Sequence, residues 1–250
     1  MRRKKGLERA VRYALFPHEL GLCGPQGAGA KDELYRYLTT DRVREGKVRK
    51  LLEEFWASTA YLKLIAQSNE IDDWLDERVV EAYWIGNSFL DYVRIANLRE
   101  IVCGFAGKGV MTAETANAIA ERIPRRAVPH HSFHVFMVGS VTGKVKPIIA
   151  SQDLCRIGWG KVEKVEDNQI LARAKPLVRG GEDRLGLGEA RLQTIQRDPK
   201  LLSRVRTGEI ITFHWGKAVE IINGEQANQL EKYTERTLGL FSFAGQGEVS

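Results

Sequence analysis

A change in hydrophobic rhythm near residue 150 limits what this chain can fold into. Before it, apolar side chains recur every three to four residues, as one buried helix face requires. In "LLEEFWASTAYLKLIAQ", Leu51, Leu52, Phe55, Trp56, Ala60, Leu64 and Ile65 fall about one turn apart and predict a helix. "DERVVEAYWIGNSFLDYVRIANL" repeats the pattern with Val79, Val80, Tyr83, Trp84, Asn87 and Leu90, and Asp72 or Asp73 is the expected cap. "TAETANAIAERI" reads as a shorter helix with Thr112 as N-cap. "HHSFHVFMVGSVTGKVKPIIA" departs from this rhythm: alternation of Phe133, Val135 and Met137 predicts a strand, then a turn around Thr142–Gly143.

After Asp153 strand signals dominate. "CRIGWGKVEKV" and "QILARAKPLV" predict a hairpin turning at Glu166–Asp167–Asn168, and "EIITFHW" with "KAVEII" predicts a second strand pair. Residues 180–208 between them read as a polar segment. "GEQANQLEKYTERTL" closes as an amphipathic helix with Asn223 as N-cap, and the tail "FSFAGQGEVS" is expected to fray. The architecture expected is α+β: a mainly helical domain over residues 1–150, then a small OB-like β-barrel with a C-terminal helix over 151–250.

Composition narrows the function classes. The chain has 38 Lys+Arg against 32 Asp+Glu, a net charge of +6, yet no basic run is interleaved with aromatics as a stacking groove would need. An OB-like nucleic-acid binder is therefore the least favoured function. Cys23, Cys103 and Cys155 lie far apart with no CxxC pair, which excludes a zinc ribbon and fits reduced thiols in a cytoplasm. Charges at Glu8, Arg9, Arg12 and Glu19 break any apolar core of a leader, and no run approaches a membrane span. The glycine-rich "GLCGPQGAGA" and "CGFAGKGV" lack the GxxxxGK[ST] phosphate loop.

Five histidines and three cysteines are the candidate ligands and nucleophiles. "PHHSFH" is the densest cluster. On a strand, His130 and His134 share a face and His131 takes the other, so His130 and His134, with carboxylates at Asp76, Glu77 and Glu81, form a possible iron or zinc site. The plainer reading is a histidine cluster that is solvated or caps a strand entrance. "PHELGLCGP" puts His18 and Cys23 in one turn, as a Cys–His pair or as loop anchors. Cys155 in "DLCRIGWGKVEKV" and His214 in "EIITFHWGKAVEII" are expected on neighbouring strands, where the imidazole would lower the thiol pKa. Packing roles, a small apolar thiol and a hydrogen-bonded core histidine, are the alternative for both.

The last third resembles the HypC/HupF family of small hydrogenase-maturation chaperones. "LCRIGWGKV" keeps the family's cysteine as Cys155 and, at the family spacing, Gly160, Lys161 and Val162. "GEIITFHWGKAVEIINGEQANQLEKYTERTL" matches its second block at Gly208, His214, Gly216, Ala218, Ile222, Ala227 and Leu230. The resemblance implies that Cys155, supported by His214, holds iron carrying cyanide and carbon monoxide. It also implies as partners a hydrogenase large-subunit precursor and an iron–sulfur maturation protein. Two features depart from the family: Cys155 is internal rather than next to the initiator methionine, and Trp159 replaces the family proline. The first half resembles an uncharacterised bacterial and archaeal family with motifs like "LGLCGP", "DERVVEAYWIGN" and "PHHSFHVF". A thiol- or metal-dependent enzyme centred on Cys23, Cys103, His130 and His134, with the barrel as docking module, is the alternative function.

Overall fold

Helix α1 (Arg2–Glu19) opens the chain in the computed structural model, which describes residues 2–27, 29–40, 43–108, 111–139, 143–181 and 184–240. Its buried stripe of Leu7, Val11, Ala14 and Leu15 makes it the central helix, and Gly6 lets it approach the backbone at Leu75–Glu77. Around it stand α2 (Ala30–Thr39), α3 (Glu45–Glu53), α4 (Trp56–Ser68) and α5 (Glu77–Trp84). The run expected as one helix over 51–67 is broken at Glu54–Phe55, where the buried Phe55 takes a non-helical backbone at φ -82° and ψ 58°. Asp76, rather than Asp72 or Asp73, caps α5 by accepting from the Arg78 amide. A 3-10 turn (Ser88–Tyr92) starts at Asn87, and α6 (Ile95–Gly104) and α7 (Ala113–Arg122) follow, with Thr112 capping α7 as expected.

The segment read as a strand over 131–137 is helical. One turn of α8 (His131–Phe133) runs into a π-helical turn (His134–Val138), closed by Gly139 at φ 72°. His130 starts it by accepting the Ser132 amide on its ring, so a capping signal outweighs the alternation of three residues. Gly143 has the left-handed φ of a turn, while Thr142 and the tail from residue 241 lie outside the described residues. Helix α9 (Ile149–Cys155) then spans the rhythm change.

Strands β1 (Gly158–Val165) and β2 (Gln169–Ala174) form the expected hairpin, and β6 (Ile210–His214) and β7 (Lys217–Ile222) the expected second pair. The segment read as polar over 180–208 supplies two further strands. Strands β3 (Leu177–Arg179) and β4 (Leu185–Leu187) pair separately, and β5 (Arg191–Gln196) joins β2 and β7. The five long strands close in the order β1-β2-β5-β7-β6, around Val162, Ile170, Ala172, Ile195, Ile211 and Phe213. Helix α10 (Gly224–Leu240) follows; Asn223 accepts from the Gln226 amide and Gln226 returns a bond to the Asn223 amide.

The barrel and helices share packing. One core cluster joins α1, α4 and α5 to Ile157, Val219, Ile222, Leu230 and Tyr233, so β7 is buried inward through Ala218 and outward through Val219. Polar groups lock the same seam. Arg9 pairs with Glu81 at 2.7 Å and Glu220 at 3.1 Å, and the Tyr13 hydroxyl donates to Glu220 and lies 2.9 Å from Thr212 Oγ1. No helix among the described residues is long and apolar enough to cross a membrane.

Candidate metal centre

Three segments distant in sequence meet where α9 runs into β1. Antiparallel pairing sets Gly158 opposite Phe213, so the chain just before β1 runs alongside the end of β6. The Trp215 amide donates to the Leu154 carbonyl at 2.8 Å, which fixes the register. Cys155 thus meets His214, although it ends a helix rather than opening a strand as expected. The β6–β7 connection is Trp215–Gly216, with φ of 52° and 74°. Positive φ at both positions suits a two-residue hairpin, but it is strained for tryptophan, where asparagine is usual. Its indole lines the cavity beside the site.

The third member is His131. Offering one ligand atom each, His131, Cys155 and His214 lie within 4.8 Å of one another and could hold a metal ion. Helical geometry explains why His131, not the His130–His134 pair, completes the group. At the start of a helix, adjacent residues diverge by about 100° rather than alternating. His130 points elsewhere and stacks on Tyr233 with ring centroids 5.8 Å apart. His134 lines the same cavity and lies 3.4 Å from the Tyr61 hydroxyl. Two of the three carboxylates proposed as their partners are engaged otherwise, Glu81 by Arg9 and Asp76 by Arg78, and Glu77 lies in the first turn of α5 outside the cavity lining.

The hydrogen bonds fix the tautomers. His214 Nδ1 lies 2.9 Å from the Tyr13 carbonyl and must carry the proton, since a carbonyl only accepts. Its Nε2 therefore holds a lone pair, buried and without a hydrogen bond of full geometry, although the Cys155 backbone also acts on the ring. By the same logic His131 donates from Nε2 to the Cys155 carbonyl at 2.9 Å, and Nδ1 accepts from the Tyr83 hydroxyl at 3.1 Å. A metal-ligating histidine commonly gives its other N–H to a carbonyl in this way. Bonds of about 2.0 to 2.3 Å bring tetrahedral ligand atoms to roughly 3.5 Å apart, so closure on an ion calls for shifts on the order of an ångström.

Burial keeps the group uncharged. It pushes the Cys155 thiol up to about 12, and the neighbouring Cys23 adds to this. The Trp215 indole pulls the other way, though its N–H makes no hydrogen bond of full geometry. The expected lowering of the thiol pKa by His214 is thus reversed, because His214 is itself neutral: burial holds it down to about 4. His131 is driven well below the usual imidazole range by burial and by the neighbouring histidines. A cation would change this balance, favouring the thiolate and a soft S,N,N donor set.

A cavity of about 110 Å³ adjoins the group. Cys23 lines it, and burial raises that thiol to about 12 against the pull of Lys144. His18 accordingly anchors the loop, its Nδ1 3.2 Å from the Cys23 carbonyl. Cys103 lies half-buried against the helical core and does not line the cavity. Sequence reasoning missed His131, Trp84, Gln152 and Trp215. The available signal for His131 was Pro129 followed by a polar N-cap, which opens a helix.

The fold and site define a protein with a helical part, a closed five-stranded sheet and a buried His–Cys–His group between them. The chain belongs to DUF6390, a family of unknown function whose profile matches residues 2–246. No curated protein and no solved structure matches it.

Proposed function

We propose that this protein handles a transition-metal cargo at His131, Cys155 and His214, as an accessory protein of [NiFe]-hydrogenase maturation. The observation that carries the metal reading is the lone pair on His214 Nε2, buried without a partner beside a thiol and a second imidazole. An orphaned acceptor of this kind costs about 1 to 3 kcal/mol, and a cation removes that cost. Thiolate with two imidazoles is a donor set suited to iron as well as zinc or copper. Iron is preferred because Cys155 and His214 are the positions to which the resemblance to the HypC/HupF chaperones assigns iron binding. The closed five-stranded sheet followed by α10 supports the OB-like reading of residues 151–250. His131, from the helical half, would supply a ligand beyond the Cys–His pair. A hydrogenase large-subunit precursor or an iron–sulfur maturation protein would be the docking partner.

The test is metal analysis and infrared spectroscopy on anaerobically purified protein, with Cys155→Ala and His214→Ala beside it. About one iron per chain is expected, with bands of bound cyanide or carbon monoxide, lost in Cys155→Ala and weakened in His214→Ala. In cells, Cys155→Ala should stop precursor processing of the client hydrogenase. Full processing with a folded Cys155→Ala protein would refute the maturation role. Failure of cobalt(II) to produce a thiolate charge-transfer band would refute the metal centre.

A further inference from the structure

Four polar side-chain atoms at the cavity are buried and have no hydrogen-bond partner: Trp84 Nε1, Trp215 Nε1, Gln152 Oε1 and His214 Nε2. Trp84 and Gln152 are each 4% exposed and His214 is 1% exposed, so bulk water does not satisfy them. Indole N–H groups can only donate, and a carboxamide oxygen can only accept. The cavity lining therefore offers two donors and, leaving His214 to the metal, one acceptor. Pro17, Leu22, Phe55 and Val135 make the rest largely apolar, and the charged lining residues Glu54 and Lys146 have opposite signs. Such a wall rejects a free ion and favours a small neutral molecule with an acceptor and a donor on one centre.

We propose that the cavity beside Cys155 is a binding site for a small neutral primary carboxamide. Its carbonyl oxygen would accept from the Trp84 and Trp215 indoles, and its N–H would donate to Gln152. Size fits this class: a cavity of about 150 Å³ takes benzene, so 110 Å³ suits a ligand with fewer heavy atoms. Trp215 also sits at φ 52°, a conformation that is costly for tryptophan and that clusters at ligand sites in proteins. The site goes beyond the metal reading and stands without it, since none of Trp84, Trp215 and Gln152 is in the ligand set.

Ligands this small reach dissociation constants on the order of 0.1 mM or weaker, so the test is nuclear magnetic resonance on the full-length ¹⁵N-labelled protein. Its five tryptophans give five indole N–H signals, and Trp84→Phe and Trp215→Phe assign the two of interest. Acetamide is titrated against acetate, which is charged, and acetone, which lacks the donor. Acetamide should shift both indole signals saturably, with acetate and acetone at least tenfold weaker. Gln152→Leu should weaken acetamide at least tenfold, and this variant carries the test if Trp215→Phe does not fold. Acetamide binding should be the same with chelator present, because none of its proposed contacts is in the metal-ligand set. No saturable shift, or an equal response to all three probes, would mean that the cavity holds water alone, and the proposal would be wrong.

Discussion

Single side chains decide both the chemistry and the acid tolerance of this molecule. His214 was legible as a buried histidine in an apolar strand, and Cys155 as its neighbour. Their protonation was not, because it depends on the Tyr13 carbonyl, 201 residues away in sequence. The same burial gives a pH prediction. His130 is held down to about 3, and His134 and His214 to about 4, against an ordinary value of 6.5. Below 6.5 the unfolded chain takes up protons that the folded chain refuses. Stability from these groups is therefore complete above 6.5 and is lost as pH falls toward 4, by about 1.4 kcal/mol per pH unit for each histidine. Urea midpoints in chelator at pH 7.5, 6 and 5 should fall accordingly, and a flat series would contradict the burial. Arg156 offers a second case. Its guanidinium is almost fully buried, pairs with Asp153 at 2.7 Å and donates to the Lys175 carbonyl at 2.6 Å. Arg156→Ala should destabilise by about 3 kcal/mol, measured by denaturant unfolding, and Asp153→Asn by less, because Asp153 is partly exposed.

At the scale of elements, local signals carried most of the reading and failed where pairing partners decide. The β1–β2 and β6–β7 hairpins and the caps at Thr112 and Asn223 were visible because turn chemistry and capping act over a few residues. Strand β5 was hidden: in "RLQTIQ" only Ile195 is fully buried, and pairing with β2 and β7 makes it a strand. Segment 131–138 failed the other way, since three alternating residues fit a strand and a short buried helix alike. Contact between α1 and α5 depends on Gly6, where an added Cβ would meet the Leu75 carbonyl. Backbone cannot yield as a flexible side chain can, so Gly6→Ala should destabilise despite its better helix propensity, by about 1 to 3 kcal/mol. Thermal unfolding of that variant beside Gly46→Ala, whose Cβ position is open, separates contact from propensity.

For the whole molecule, the seam between helices and barrel matters more than either part. Arg9, Tyr13, Glu81, Thr212 and Glu220 form one polar network there, and the largest apolar cluster crosses it. We expect a single cooperative transition by calorimetry and by both near- and far-ultraviolet circular dichroism; two resolved transitions would show that the seam is weak. The rhythm change near residue 150 was plain in sequence, but this seam was not, because nothing local marks which outward faces of β7 and α10 meet α1 and α5. Distance along the chain also sets an order of events. His131 and Cys155 leave the ribosome well before His214, and the backbone bond from Trp215 to Leu154 comes later still. A nascent chain therefore carries His131 and Cys155 without His214, and the group that could hold a metal ion is complete only when the last strands arrive. Under the proposed metal role, arrested chains ending before residue 205 should take up no cobalt(II) at this group, and a thiolate charge-transfer band from such chains would show that it forms early.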